Sequence, residues 1–479
     1  MSSVRTLFWF RRDLRLDDNA GLWRALEEAR AREGTCACLF LFDRDILDHL
    51  EPDDRRIAWI HASLVELADK LAALGSRLLC LHGRAPESLT SLLDAFPEVR
   101  SLHCNHDQEA ARLARDAAVE ALCRKRSVAL CSGKDATVLE RDELLKADGT
   151  PYRVYTPFRN AWRARVASAA ELLAPFPSLE LARSHLAPAR ELPDSGLVSL
   201  EALGFRRTVA PVPTGETASL ALWQRFLPGI AGYEEARDIP ARDGTSSMGT
   251  ALRFGTIPVR RLFRESLTQS VKWSDELIWR EFHHSLLAHF PRTATRAFQE
   301  KFETLEWDDP ESDPTARERL EAWQEGRTGF PAVDAPMREL AVQGTMPNRL
   351  RMVVASFLTK DLHLHWRHGE RWFARHLMDY DMASNVGNWQ WTAGTGADAQ
   401  PWFRIFNPTS QGRRWDPAGH YLLRWCPELS GLPPARLHEP WSKEGLPPGL
   451  AYPRPIVDHA RERSVTLERF ARAAGSPLH

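Results

Sequence analysis

The 479-residue chain contains no apolar run approaching the roughly 18 residues that a membrane span requires. Its opening 15 residues alternate short apolar stretches with arginines, without an h-region or cleavage site, so a cytoplasmic protein is expected. Cysteine is sparse: seven residues, an odd number with no C-x-x-C pair, which disfavours a disulfide framework and a zinc knuckle and predicts reduced core thiols. Neither G-x-G-x-x-G nor G-x-x-x-x-G-K-[ST] occurs, so neither a dinucleotide fingerprint nor a P-loop is available. Charge of one sign is also missing. With 63 Lys and Arg against 64 Asp and Glu the net charge is -1, which excludes a uniformly basic coat but not a local basic patch.

The length predicts two or three folding units, and 43% apolar with 27% charged residues is an ordinary globular composition. Apolar runs over 6–10, 36–42, 77–81, 100–104 and 128–131 read as strands, separated by helical stretches such as 56–73 and 108–124. That alternation predicts an α/β region with a parallel sheet. A proline-rich stretch over 172–213, with Pro175, Pro177, Pro188, Pro193, Pro211 and Pro213, breaks the pattern and reads as a linker. Helical spacing then dominates, over 273–290, 346–366, 370–378 and 382–392. The expected fold class is α/β plus all-α: a Rossmann-like domain over 1–132, a linker over 133–215 and a helical domain over 216–479. Of the 17 tryptophans, 13 lie from Trp223 onward, so the second half either uses indole as core filler or needs it for chemistry.

Two constellations stand out. Glu276, Trp279, Arg280 and His283 share one helical face, which suits either a pocket that stacks a base and bonds its polar edge, or a solvated face with i,i+4 charge pairs. In the run 379–391, Asn385 and Trp389 are helical neighbours, while Trp391 faces a different wall.

The segments 8–19 (FWFRRDLRLDDN), 276–282 (ELIWREF), 323–331 (WQEGRTGFP), 348–352 (NRLRM), 385–391 (NVGNWQW) and 403–412 (FRIFNPTSQG) resemble the photolyase and cryptochrome family, in order along nearly the whole chain. Within it the chain is most similar to class I enzymes acting on cyclobutane pyrimidine dimers in DNA. The resemblance implies FAD in the helical domain, with Tyr233 and the loop Thr245, Ser246, Ser247, Met248 and Gly249 near its phosphates. The family reads T-S-R-L-S there, so a cation and a hydroxyl are lost here and weaker FAD retention is expected; backbone N–H groups at a helix start still bind anions. Arg351 paired with Asp379, together with Tyr380 and Asp381, would line the flavin and ribose, and Asn385 would face flavin N5.

By the same resemblance, Glu276 would stabilise developing charge on the dimer. Trp279 and Trp391 would clamp a flipped lesion, with Asn348, Arg349, Met352 and His283 around it. Arg237, Arg280, Arg349 and Gln411 would contact the DNA backbone. Trp389, Trp366 and Trp307 match a tryptophan relay to the surface, with an acidic insertion over 308–319 following Trp307. An antenna pigment is expected on the α/β domain, with Phe40, Asp107, Glu109 and Arg115 around it: a deazaflavin, a second flavin, or an empty pocket. His363, His365 and His368 lack a second ligand cluster with zinc spacing, so no metal is expected. A six-four photolyase would need a histidine near the lesion, where this chain reads Thr345-Met346-Pro347-Asn348. The other implied reading is a blue-light receptor without repair activity, disfavoured because the chain ends soon after a helix over 465–474. A cytoplasmic monomer is expected.

Overall fold

The computed structural model describes residues 4–107, 109–208, 212–441, 445–446 and 448–475, so Gln108 and Pro211 lie outside the described residues. The chain divides into two compact units. The first comprises Met1–Asp148, Arg159–Ile230 and Ser246–Glu281, and the second Gly149–Phe158, Ala231–Thr245 and Phe282–His479.

In the first unit five strands, β1 (Val4–Phe10), β2 (Thr35–Asp43), β3 (Leu78–Gly83), β4 (Ser101–Asn105) and β5 (Ala129–Gly133), form one sheet in the order β3-β2-β1-β4-β5. All neighbours pair in parallel, and every position of β2 is buried, as strands covered on both faces require. The crossovers carry helices α1 (Ala20–Ala31), α2 (Arg55–Ala73), α3 (Ala85–Ala95) and α4 (Ala110–Lys125). Asn19 and Asp54 cap α1 and α2 through their side-chain oxygens. The strand order reverses between β1 and β4, and a crevice at the carboxyl ends of strands beside such a switch is where open α/β sheets bind ligands.

The proline-rich stretch docks on this sheet rather than running free as a linker. It contains a helix, Ser178–His185, after which Leu186 bridges Cys36 and the Ala187 N–H bonds the Cys36 carbonyl at 2.8 Å. Trp59 Nε1 donates to the Pro213 carbonyl at 2.9 Å. Prolines disguise this segment, because they remove ladder donors without preventing side-chain packing.

The run 8–19 supplies a buried ionic network. Arg15 Nη2 meets both carboxylate oxygens of Asp135 at 2.8 Å, and Arg260 meets Asp135 at 2.9 Å and Asp18 at 3.0 Å. Burial alone would push Asp135 up, but Arg15 and Arg260 hold its pKa down at about 2. Asp13, bonded by the Asn105 amide at 2.6 Å, is pushed up to about 6 by burial and by Asp135.

Helix α5 (Val271–His289) contributes residues up to Glu281 to the first unit and from Phe282 to the second. The second unit continues with α6 (Pro331–Gln343), α7 (Asn348–Ser356), α8 (Trp366–His376), α9 (Met382–Ala393), α10 (Pro408–Trp415) and α11 (His459–Ala474). Its core gathers Trp323, Trp366, Phe373 and Trp389 with aliphatic side chains from α6 to α9. The single helix expected over 346–366 is interrupted. After α7 comes a wide π-type turn, Phe357–Asp361, and His363 takes a left-handed φ of 57°, so Trp366 opens α8 instead of closing α7. Thr359 Oγ1 bonds back to the Ala355 carbonyl at 2.8 Å, and buried Lys360 donates to the Ala393 carbonyl at 2.6 Å, fixing the break.

Candidate functional site

A cavity opens in the second unit between α7, α8 and α9, lined by aromatic and apolar side chains with a few polar groups, as cofactor pockets are. On α9 the cavity-lining residues Asn385, Asn388, Trp389 and Thr392 recur at helical spacing, and Asp381 caps that helix by accepting the Ser384 N–H at 3.1 Å. Arg351 and Met352 line it from α7, and Arg351 Nη2 bonds both oxygens of Asp379, at 2.9 and 3.1 Å. Asn348, Asp379, Tyr380 and Asp381 complete the wall. Residues that the sequence assigned to cofactor, lesion and relay therefore converge on one space.

Asn385 is oriented by a residue that sequence reasoning missed. Its Nδ2 donates to the Glu370 carbonyl and to Glu370 Oε1, each at 3.1 Å, and Tyr380 Oη donates to the same carboxylate at 3.4 Å. With its donors engaged, Asn385 has its carbonyl oxygen left to offer as an acceptor. Burial raises the Glu370 pKa, and the two donors oppose that. The signal was weak: Glu370 stands four residues after Trp366, on the same helical face.

Trp389 is 2% exposed, and its Nε1 is a buried donor with no protein partner. It packs on Phe373 at 5.0 Å and Trp323 at 6.2 Å. A Cβ at Gly369 would stand 2.0 Å from the Trp389 ring, so glycine there lets the indole press against α8. Trp366 is fully buried in the same cluster, and Trp307 is half-buried. An aromatic cavity wall, an orphaned indole donor, a fixed amide acceptor and a guanidinium–carboxylate pair fit a planar heteroaromatic cofactor bearing hydrogen-bonding edges.

The other assigned residues lie elsewhere. Tyr233 begins a short turn with the Arg237 guanidinium 5.3 Å from its ring centroid. Ser247 takes a left-handed φ of 53°, Met248 is 2% exposed, and Gly249 begins the helix Gly249–Phe254. Thr245 and Ser246 precede that turn. Glu276, Trp279 and Arg280 stand half-buried on α5, with Lys272 Nζ 3.6 Å from the Glu276 carboxylate, and Arg280 Nη1 donates to the Ala136 carbonyl at 2.6 Å. His283 is 6% exposed against Gly387, and burial holds its pKa near 4. Arg349 pairs with Asp238 at 2.7 Å and lies 4.9 Å from the Trp415 ring centroid, while Gln411 accepts the Trp415 indole N–H at 3.2 Å. Trp391 is half-buried.

The first unit has its own cavity, about 670 Å³, at the carboxyl ends of β1 and β2. Phe40, Asp107 and Arg115 line it, together with Trp9, Arg11, Arg12, Arg112 and Arg253. Glu109 ties Arg12 at 3.1 Å and Arg253 at 3.3 Å. Arg11 and Arg115 stand 4.3 and 4.9 Å from the Trp9 ring centroid, and Arg11 keeps two buried guanidinium nitrogens without protein partners.

Residues 273–472 match the model of the FAD binding domain of DNA photolyase, and residues 6–180 match the DNA photolyase model. The chain is 38% identical over 468 residues to the deoxyribodipyrimidine photo-lyase of a Synechococcus species, covering 95% of this chain and 93% of that one. It superposes on the crystal structure of a class III photolyase from Agrobacterium tumefaciens with a TM-score of 0.86 at 34% identity, covering 99% of both chains. An archaeal photolyase from Sulfolobus tokodaii, solved with two FAD molecules, gives a TM-score of 0.82 at 30% identity, covering 98% of this chain and 100% of that one. With its parallel sheet, its helical FAD-binding domain and full-length relatives of this identity, the chain belongs to the DNA photolyase family.

Proposed function

We propose that the chain is a deoxyribodipyrimidine photo-lyase, an FAD-dependent enzyme that uses blue light to split cyclobutane pyrimidine dimers in DNA. The observation that carries this reading is the cavity where Glu370 fixes Asn385 and Trp389 forms the wall, inside the region matching the FAD-binding domain. When bound and reduced, FAD supplies a photoexcitable electron donor.

The chain's own residues do the rest. Asn385, its amide donors held by Glu370, would offer its carbonyl oxygen to the cofactor as a neutral acceptor. The Arg351–Asp379 pair would hold polar groups of the cofactor. Glu276 bonds the dimer and stabilises charge as it develops there, while Trp279 in the first unit and Trp391 in the second each offer an indole on which a flipped base stacks. Arg349, partly neutralised by Asp238, and Arg237 supply a local phosphate-binding rim despite a net charge of -1. Trp389, Trp366 and Trp307 carry electrons inward when the cofactor starts oxidised. The arginine-lined cavity of the first unit would hold a second chromophore. Its chemistry suits an anionic aromatic molecule, which both a deazaflavin and a second flavin satisfy.

Among the described residues no helix is long and apolar enough to cross a membrane. We assign the protein to the cytoplasm as a monomer. Illumination of the reduced protein with dimer-containing DNA tests the proposal: repair in blue light but not in the dark supports it. Flash-induced flavin chemistry without dimer splitting would favour a receptor.

A further inference from the structure

In the second unit an imidazole stands between two of the relay tryptophans. The Trp307 and His365 ring centroids are 5.4 Å apart with the rings steeply inclined at 67°, and those of His365 and Trp366 are 5.4 Å apart at 32°. Among the described residues no ring contact joins Trp307 to Trp366 directly, so His365 completes an otherwise broken aromatic path.

The ring's state is set by a local bond. His365 Nδ1 accepts the backbone N–H of Arg367 at 3.2 Å and so caps α8. A nitrogen that accepts carries no proton, which fixes the neutral tautomer with hydrogen on Nε2. Burial first, then His368, Arg367 and Arg371, hold the pKa at about 4. A cation between the two indoles would oppose oxidation of either; the neutral ring does not.

We propose that His365 is the bridge across which an electron passes from Trp307 to Trp366, an assignment that rests on the tryptophan-relay reading above. One electron leaves the Trp307 indole and fills the vacancy at Trp366, created when Trp366 re-reduces Trp389. Trp307 becomes a radical cation and loses its Nε1 proton to water, and a soluble thiol later returns a hydrogen atom. His365 begins and ends the step neutral.

Two substitutions separate bridging from capping. His365→Asn keeps a side-chain cap acceptor and removes the ring, whereas His365→Phe keeps a ring and removes the acceptor. Time-resolved absorption of the FAD-loaded protein reads the arrival of oxidation at Trp307, and thermal melting reads the cap. His365→Asn should slow arrival roughly tenfold, equivalent to about 1.4 kcal/mol of barrier, with a melting point close to the parent's. His365→Phe should melt lower but keep the arrival rate within roughly a factor of two. Arrival at the parent rate in His365→Asn, or slowing in His365→Phe as large as in His365→Asn, overturns the bridge. Trp389→Phe is the control. A tryptophan-radical signal that survives it refutes the relay itself, a failure distinct from that of His365 alone.

Discussion

At its cavity the first unit gathers five arginines, Arg11, Arg12, Arg112, Arg115 and Arg253, with Asp43 and Asp107, whereas the second unit has one arginine, Arg351, with Asp379 and Asp381, among amides, hydroxyls and indole. The first unit also buries a network of ion pairs, Arg15 and Arg260 with Asp135 and Asp18, while neutral rings surround Trp389 in the second. Fixed charge suits a cavity whose occupant keeps one charge state. Neutral dipoles suit a cofactor that changes its electron count, because they stabilise each state without committing to one.

Breaking the charge network should have the largest effect on stability. Asp135→Ala leaves Arg15 and Arg260 without their shared carboxylate and should cost about 3–5 kcal/mol, read by urea unfolding. The part-exposed Arg351–Asp379 pair should behave differently, since Asp379→Asn should cost about 1 kcal/mol or less while lowering FAD content. Equal stability losses would erase the contrast between the units.

Acid should expose the second unit's neutral groups. Folding lowers the His283 pKa from 6.5 to about 4, so between those values the unfolded chain binds the extra proton and stability falls as pH falls. The contribution, fully present above pH 6.5, amounts to about 3 kcal/mol at most. His283→Gln should flatten the pH dependence of unfolding in that window. An unchanged profile would mean that the ring is not held neutral.

Much of this division is legible in the amino-acid sequence. All five strands lie within two residues of the apolar runs that announce them, because a sheet covered on both faces leaves continuous apolar runs between helical spacings. The residues from Asn348 to Met352 and from Asp379 to Trp389 can be assembled from motifs, since they recur at helical spacing around one cavity. Glu370 and His365 stay hidden because their roles depend on which helix end or amide they meet, and the break at Phe357–Asp361 lies inside a run whose composition is uniformly helical. The proline-rich stretch is harder to read, because its irregular spacing conceals the bridge between Leu186 and Cys36.

Smaller effects concern DNA. Trp279→Ala should weaken damaged DNA by about 1–3 kcal/mol and intact duplex little, because base stacking on the indole requires a flipped lesion. Equal losses in fluorescence titrations would leave only a general binding surface. Arg349→Ala should weaken both DNAs and lower the logarithmic salt slope by roughly one unit if the arginine exchanges Asp238 for a phosphate. An unchanged slope would leave Arg349 as Asp238's partner alone.

The central claim is that the second unit's cavity binds FAD for light-driven dimer splitting. Its most direct test reduces the purified protein chemically, adds an oligonucleotide carrying one cyclobutane dimer, and follows the return of pyrimidine absorbance under blue light. Recovery is expected in light and none in the dark, with a lower yield per absorbed photon in Glu276→Ala at unchanged FAD content. No recovery from protein shown to hold reduced FAD and to bind the damaged strand would contradict the claim.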